Sequence, residues 1–256
     1  MISPELKSLL NQKADFYNNP WFIKSDPISI PHGFTDKEDI EISAFLIATI
    51  AWGKRSMIIG NGRKIMDLMG NSPADFIINF KDKDLKPFEN FVHRTFNATD
   101  LIYFLNALQH IYKNYGGLEG VFSRGYEKTK NIFDTITFFY EIFFELEHPI
   151  RTKKHLSNPA KGSAAKRVNM YLRWMVRNDD RGVDFGIWKT IPMSALMIPL
   201  DVHTARLGRK FGLLTRRSND RKAVEEYTAN LKELDSSDPV KYDFALFGMG
   251  AFEGII

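Results

Sequence analysis

Hydrophobic residues recur at helical spacing along most of the chain. From Glu41 to Met69, apolar side chains fall three and four positions apart, which predicts helix, and Gly53 is expected to break that run. The segment LIYFLNALQHIY after Asp100 is strongly amphipathic and is expected to stop at Gly116. No segment shows a convincing strand alternation. The pattern therefore indicates an all-α protein.

Other helices are predicted where capping residues precede apolar runs. Ser72 and Pro73 fit the N-cap and first helical position of one helix. Residues 131–145 are predicted as helix by their length and lack of breakers, although their Phe and Ile content would also suit a strand. The remaining predicted helices are 162–177, 204–212, 222–234 and one opened by Asp238-Pro239.

The predicted helix 162–177 carries two faces of different character. Val168, Leu172 and Met175 belong to its apolar stripe, whereas Arg173 and Arg177 share another face with Lys166. This helix ends a stretch, residues 151–177, that contains no acidic residue. The basic residues of that stretch are Arg151, Lys153, Lys154, Lys161, Lys166, Arg167, Arg173 and Arg177.

Composition narrows the class further. The 256 residues allow one large domain or two small ones, and 21 Phe among 13% aromatics suggest a Phe-rich helical core. With no Cys, the chain can hold no disulfide, no thiolate zinc site and no iron–sulfur cluster. It shows neither a signal peptide nor a membrane span, so we expect a cytoplasmic protein with no membrane partner. The net charge of +4 modestly favours a nucleic-acid partner.

One candidate site is the turn Lys-Gly-Ser-Ala-Ala-Lys at residues 161–166. A turn of small residues at a helix start exposes backbone N–H groups that favour a phosphate. Lys166 would lie in the first helical turn, where positive potential and partial burial favour the neutral, nucleophilic amine. A solvated lysine on a basic face explains the same pattern.

A second candidate is Asp201 in the segment Ile-Pro-Leu-Asp-Val-His, residues 198–203. An aspartate at this place is either an N-cap for the next helix or a carboxylate directed into a cleft. His203 could pair with Asp201 on a metal, but two ligands without a third make a weak metal site. We therefore predict no catalytic metal.

Lys166 and Asp201 together, 35 residues apart, resemble the catalytic pair of the helix–hairpin–helix DNA glycosylases of the endonuclease III and 8-oxoguanine glycosylase type. In that superfamily a lysine follows the hairpin glycines and an aspartate lies in a short x-P-x-D-x-H stretch. The stretch KRVNMYLRWMVRNDDRGVDFGIW also resembles the archaeal 8-oxoguanine glycosylases. The whole chain is similar to an uncharacterised bacterial family grouped near these enzymes.

The resemblance implies two helical subdomains with a central cleft, one near residues 41–190 and one from 1–40 plus 191–256. It implies excision of a damaged base, such as an oxidised purine, from double-stranded DNA, with or without lyase activity. Lys166 would form a Schiff base and Asp201 would stabilise the cationic sugar. No cofactor is implied except a monovalent cation that such hairpins can hold. No protein partner is implied.

The resemblance also suggests contacts to DNA. The residues expected to bind phosphate are Lys161, Gly162, Ser163, Ala164, Arg167, Arg173 and Arg177. Trp52, in a loop after an early helix, is a candidate wedge or base-pocket wall, with a core tryptophan as the alternative. Trp188 is a further pocket candidate. Asp179, Asp180 and Asp184 would be a solvated loop or would hydrogen-bond a base edge.

Two other functions fit the same residues. A non-catalytic nucleic-acid-binding protein that retains the glycosylase fold would use Lys166 only as one phosphate contact among many. A helical scaffold protein would leave the basic face as solvated surface. The acid-free stretch 151–177 argues against the scaffold, and the joint presence of Lys166 and Asp201 favours the enzyme.

Overall fold

A computed structural model describes residues 2–255, and its regular secondary structure is almost entirely helical, as the sequence predicts. In that range the α-helices are α1 Pro4–Tyr17, α2 Lys37–Thr49, α3 Arg55–Leu68, α4 Pro73–Asn79, α5 Ala98–Tyr115, α6 Gly117–Thr129, α7 Ile132–Phe143, α8 Lys166–Val176, α9 Val202–Lys210, α10 Arg221–Leu234 and α11 Tyr242–Phe252. The described strands are β1 Val92–His93 and β2 Phe96–Asn97, an antiparallel pair in which Val92 faces Asn97. None of the helices described is both long enough and apolar enough to cross a bilayer.

The chain divides into two compact units with different boundaries from those expected. The middle unit is Ser25–Ser157, and the terminal unit combines the described residues up to Lys24 with those from Asn158 onward. The expected boundaries, near residues 40 and 190, therefore lie too late in the chain. Residues after Lys24 belong with α2 and α3, since Ile30 lies against Gly62. Helix α8 belongs with the C-terminal helices, because Arg173 pairs with Asp243.

The middle unit is built around phenylalanine side chains, which confirms the predicted Phe-rich core. Phe104 lies 4.7 Å from Phe143, and Phe122 stacks on Phe139 at 4.4 Å between ring centroids. Both pairs come from helices that cross in this core, and all four side chains are fully buried. Residues 132–143 are helix, so the apolar character of that segment reflects burial on several sides rather than a strand.

The terminal unit brings the two ends of the chain together. Helix α1 packs on α11 so closely that a Cβ at Gly248 would lie 2.2 Å from the Tyr17 ring. Tyr17 also stacks on Phe252, with ring centroids 5.8 Å apart. Only glycine at residue 248 allows this approach of the helices. This packing fixes the position of α11, the helix that carries Asp243.

Helix boundaries follow local signals in several places. Gly53, with φ of 101°, lies between α2 and α3, where the sequence predicts a break. Gly116 adopts a left-handed conformation and ends α5. Two helices, α1 and α6, were not predicted. Helix α6 begins at Gly117, directly after the predicted end of α5, because the left-handed Gly116 changes the chain direction between the two helices.

Candidate functional site

The predicted hairpin is a turn that leads into α8. Asn158 accepts a hydrogen bond from the Ala160 N–H, and residues 159–161 form one short helical turn. Gly162 follows with φ of 83°, and its carbonyl accepts a hydrogen bond from the Arg221 N–H at 2.9 Å. Glycine is the residue that adopts this conformation without strain. The turn is thereby joined to the start of α10.

Lys166 is the first residue of α8. It follows Ala165, a buried residue held in the left-handed region with φ of 47°, which is strained for any residue with a Cβ. Lys166 is half-buried, and its ammonium group makes no hydrogen bond or ion pair with a residue in the range 2–255. An amine that is partly withdrawn from water and unpaired is available to a ligand.

Asp201 is the N-cap of α9, so the structural interpretation of this residue is confirmed. Its Oδ1 accepts hydrogen bonds from the backbone N–H of Thr204 at 2.8 Å and from the Thr204 hydroxyl at 2.9 Å. Oδ2 makes no hydrogen bond within the described chain. Asp201 is half-buried. Capping therefore occupies one carboxylate oxygen and leaves the other for a ligand.

A third ionisable group, Asp243 on α11, is influenced by the charges of both residues. Its carboxyl is buried, and burial raises its pKa to about 7. The negative charge of Asp201 raises this pKa further, whereas the positive charges of Arg173 and Lys166 lower it. Lys166 and Asp201 therefore both lie close enough to one buried carboxyl to change its affinity for a proton. The sequence analysis missed Asp243, whose one signal is an acid within an otherwise apolar helix.

Tyr227 on α10 lies beside the same group of charges and was also missed. Its hydroxyl donates to the Thr204 carbonyl at 3.3 Å. Burial raises its pKa well above the usual value, and the charges of Asp243 and Asp201 raise it further. Asn169, one turn after Lys166, donates through its amide to the Ala164 carbonyl at 3.0 Å. The buried Oδ1 of Asn169 has no hydrogen-bond donor among the residues described.

The structure corrects the prediction that Arg173 and Arg177 bind phosphate. Both side chains are buried, and both pair with Asp184, each at 3.2 Å. Arg173 also pairs with Asp243, and Arg177 pairs with Asp238 at 2.9 Å. Although burial lowers the pKa of Arg177, Asp184 and Asp238 hold it above its usual range. A buried guanidinium group paired in this way cannot contact DNA.

Two of the three acids in residues 179–184 belong to the same network. Asp184 is buried against Arg173 and Arg177, and burial raises its pKa. Asp179 accepts a hydrogen bond from the Asn18 amide at 2.6 Å and pairs with Arg177 at 2.7 Å. Asp180 is exposed. Only Asp180 therefore fits the solvated loop that the sequence suggested.

The other predicted phosphate contacts remain at or near the surface. Lys161 and Gly162 are exposed, whereas Ser163 and Ala164 are half-buried. The Ser163 hydroxyl accepts a hydrogen bond from the Ala165 N–H at 3.2 Å. Arg167 is half-buried, and burial lowers its pKa to about 10, so it stays charged at neutral pH. These residues can still approach a phosphate.

The two tryptophan predictions have different outcomes. Trp188 is buried in the terminal unit with its ring edge-on to Tyr171 at 5.4 Å, so it is a core residue and not a pocket wall. Trp52, in the middle unit, is half-buried, with its ring edge-on to His93 at 4.9 Å and parallel to His155 at 6.1 Å. Its partial exposure leaves the prediction of a base contact open.

A metal centre does not emerge from the described residues. No group of three or more His, Asp or Glu side chains lies close enough together in residues 2–255 to hold an ion. His203 is half-buried, and its ring meets Phe247 edge-on at 6.2 Å. In the hairpin, the carbonyl oxygens of Pro159 and Gly162 accept backbone hydrogen bonds from Gly162 and Arg221.

Comparison with known proteins gave one match. The family model described as protein of unknown function (DUF2400) matches residues 26–252. No curated protein and no solved structure matched the chain.

Proposed function

The chain belongs to the DUF2400 family, whose description assigns no activity, and from the geometry of the site we propose that it is a DNA base-excision glycosylase that acts through Lys166. The observation that carries the proposal is the common neighbourhood of Lys166, Asp201 and the buried carboxyl of Asp243. A half-buried amine without an ion-pair partner next to two carboxyl groups is an arrangement suited to nucleophilic catalysis.

The proposed reaction begins with a damaged nucleotide turned out of the duplex. The neutral amine of Lys166 attacks the sugar C1′, and the bond to the base breaks with its electron pair leaving on the base. Loss of the ring-oxygen bond then gives a Schiff base between Lys166 and the opened sugar. Where this intermediate loses the 3′ phosphate by β-elimination, the strand is cut.

Asp201 and Asp243 have separate roles in this proposal. The free Oδ2 of Asp201 stabilises positive charge on the sugar as the base leaves. Asp243, with a pKa of about 7, can accept the proton that the Lys166 ammonium loses and return it later. The Gly162 turn and Lys161 approach the phosphate beside the lesion.

A second candidate is a nucleic-acid-binding protein without catalysis. The observation that favours it is the strained Ala165 at the entrance to α8, where the usual hairpin has glycine. In that case Lys166 would contact phosphate and form no covalent bond. Both candidates predict DNA binding, but only the glycosylase predicts a covalent intermediate on Lys166.

The test is borohydride trapping on duplexes that contain an abasic site, 8-oxoguanine or uracil. We expect a trapped adduct with wild type and none with Lys166→Gln. With Asp201→Asn the adduct should form about 100-fold more slowly. Lys161→Gln is the matched control, since this exposed lysine in the same turn should lose only phosphate affinity. DNA binding that persists without any adduct or released base would favour the non-catalytic protein instead.

A further inference from the structure

A buried aspartate organises one face of the middle unit. Asp100 is fully buried and shares a capping box with Asn97 at the start of α5. It also accepts hydrogen bonds from Arg151 at 2.8 Å and from the Thr152 hydroxyl at 2.9 Å. His155 lies 3.2 Å from the same carboxylate. Asp100 thus fixes the short helical segment Ile150–His155 to the base of the β1–β2 hairpin.

The hairpin in turn contacts the loop that follows α2. The His93 ring lies 3.2 Å from the Trp52 carbonyl and edge-on to the Trp52 ring. Arg94, at the hairpin tip, crosses Gly53 so closely that a Cβ there would lie 2.9 Å from the guanidinium group. Arg151 donates to the Thr95 carbonyl at 3.0 Å. Three separate segments therefore form one surface.

Exposed apolar side chains on this surface lie among cations without carboxylate partners. Ile150 is 87% exposed, and Val92 is 61% exposed. Lys54, Arg94 and Lys154 are exposed and make no ion pair with any residue in the described chain. Burial of water-exposed apolar groups and neutralisation of unpaired cations would both favour a partner here. The surface, called the hairpin surface below, consists of Trp52, Lys54, Val92, Arg94, Ile150 and Arg151.

We propose that the hairpin surface is a nucleic-acid interface of the middle unit. In this proposal Lys54 and Arg94 contact phosphates, Trp52 stacks on an unpaired base, and Ile150 packs against the bases of a disrupted step. Of these residues the sequence singled out only Trp52 as a base contact; Lys54, Arg94 and Ile150 come from the structure. The inference rests on the proposed function only for the class of partner, and it requires no chemistry at Lys166.

Nucleic acid fits this surface better than an anionic membrane does. The apolar side chains stand singly on a strand, a loop and a short turn, whereas membrane-surface segments present a continuous apolar helix face. Trp52 is half-buried, and its indole ring is held in place by His93 edge-on and by the parallel His155 ring, so a planar base would meet a fixed aromatic surface. Membrane binding is therefore kept as an outcome of the test.

The test is fluorescence anisotropy with a labelled duplex that has a short single-stranded gap, at a series of salt concentrations. The plot of log Kobs against log salt has a negative slope, and the double variant Lys54→Glu/Arg94→Glu should reduce the magnitude of that slope by about 2. Lys83→Glu/Lys86→Glu is the matched control: both lysines are exposed on the middle unit, and the change in net charge is the same. The control should alter the slope by far less.

A second readout concerns stacking. In a Trp21→Phe background the other two tryptophans, Trp174 and Trp188, are buried, so quenching by gapped DNA reports on Trp52. Quenching is expected, and Ile150→Ser should weaken binding without altering the salt slope. Equal losses in both charge variants, no quenching, or binding to phosphatidylglycerol vesicles but not to DNA would overturn the proposal. Because gapped duplex carries no lesion, failure of the Lys166 chemistry would leave these results unchanged.

Discussion

Asp243 shows how burial and neighbouring charges set the chemistry of one residue. Its carboxyl is withdrawn from water, pairs with Arg173 and lies within the electric field of Lys166 and Asp201. Burial raises its pKa by more than the nearby cations lower it. The group can therefore exchange a proton near neutral pH, which an exposed aspartate cannot do.

The raised pKa of Asp243 predicts a specific pH dependence of stability. In the folded protein this pKa is about 7, above the ordinary value of 3.8, so the folded state binds the proton more tightly. This stabilisation is complete below the unfolded pKa and is lost as pH rises to about 7. Asp243→Asn removes the titration, so its free energy of unfolding relative to wild type should increase by up to about 4 kcal/mol across that window.

Urea denaturation at a series of pH values measures this difference. The matched control is Asp180→Asn, which removes an exposed carboxyl of the same unit and leaves Asp243 to titrate as in wild type. Parallel curves for Asp243→Asn and wild type would show that the Asp243 pKa is not raised.

Residue roles were predictable from the sequence where they depend on local position. The capping role of Asp201 follows from its place before an apolar run, and Thr204 supplies the expected donors. The roles of Arg173 and Arg177 were not predictable, because Asp243 lies 70 residues beyond its partner Arg173 and Asp238 lies 61 residues beyond its partner Arg177. A basic helix face and a buried ion-pair network have the same sequence pattern until the fold brings the acids to it.

At the scale of elements, turns that need a left-handed backbone determine where helices begin and end. Gly53 lies in the break between α2 and α3, and Gly116 ends α5, as the sequence predicts. Helix α8 starts at Lys166 rather than Gly162, because Ala165 takes the left-handed conformation immediately before it. The β1–β2 hairpin escaped prediction, since two-residue strands carry no detectable alternation.

Gly162 gives a direct measure of strain in the candidate hairpin. No heavy atom outside its chain neighbours lies within 4 Å of a Cβ built at this position, so Gly162→Ala adds backbone strain without a clash. Because Gly162 has a φ of 83°, we expect Gly162→Ala to lower the free energy of unfolding by about 1 to 2 kcal/mol.

Gly60→Ala is the matched control for this substitution. Gly60 lies inside α3 with equally open space at its Cβ, so alanine should stabilise the protein by about 0.5 to 1 kcal/mol. Opposite signs for the two variants in guanidinium denaturation support the account. A neutral or stabilising Gly162→Ala would contradict it.

At the scale of the molecule, each of the two units has its own core. The middle unit is one continuous segment, Ser25–Ser157, with a buried phenylalanine cluster, whereas the terminal unit joins the first and last parts of the chain. All-α class could be predicted from periodicity. The unit boundaries could not, because they depend on contacts between residues far apart in sequence.

The continuity of the middle unit predicts that it folds by itself. Residues 25–157 expressed alone should be helical by circular dichroism and should unfold in one cooperative thermal transition. In this fragment Asp100→Ala should lower the free energy of unfolding by about 1 to 3 kcal/mol, because the Asn97 N–H and the buried Thr152 hydroxyl lose their acceptor. A fragment without a cooperative transition would contradict the division into units.

The most direct test of the central claim locates the covalent bond. After borohydride treatment with an abasic duplex, the adduct is digested and mapped by mass spectrometry. The account predicts that the sugar is attached to the Lys166 side chain, and that Lys161→Gln leaves this position unchanged. Attachment spread over exposed lysines or the N-terminal amine, or no adduct at all, would contradict a catalytic role for Lys166.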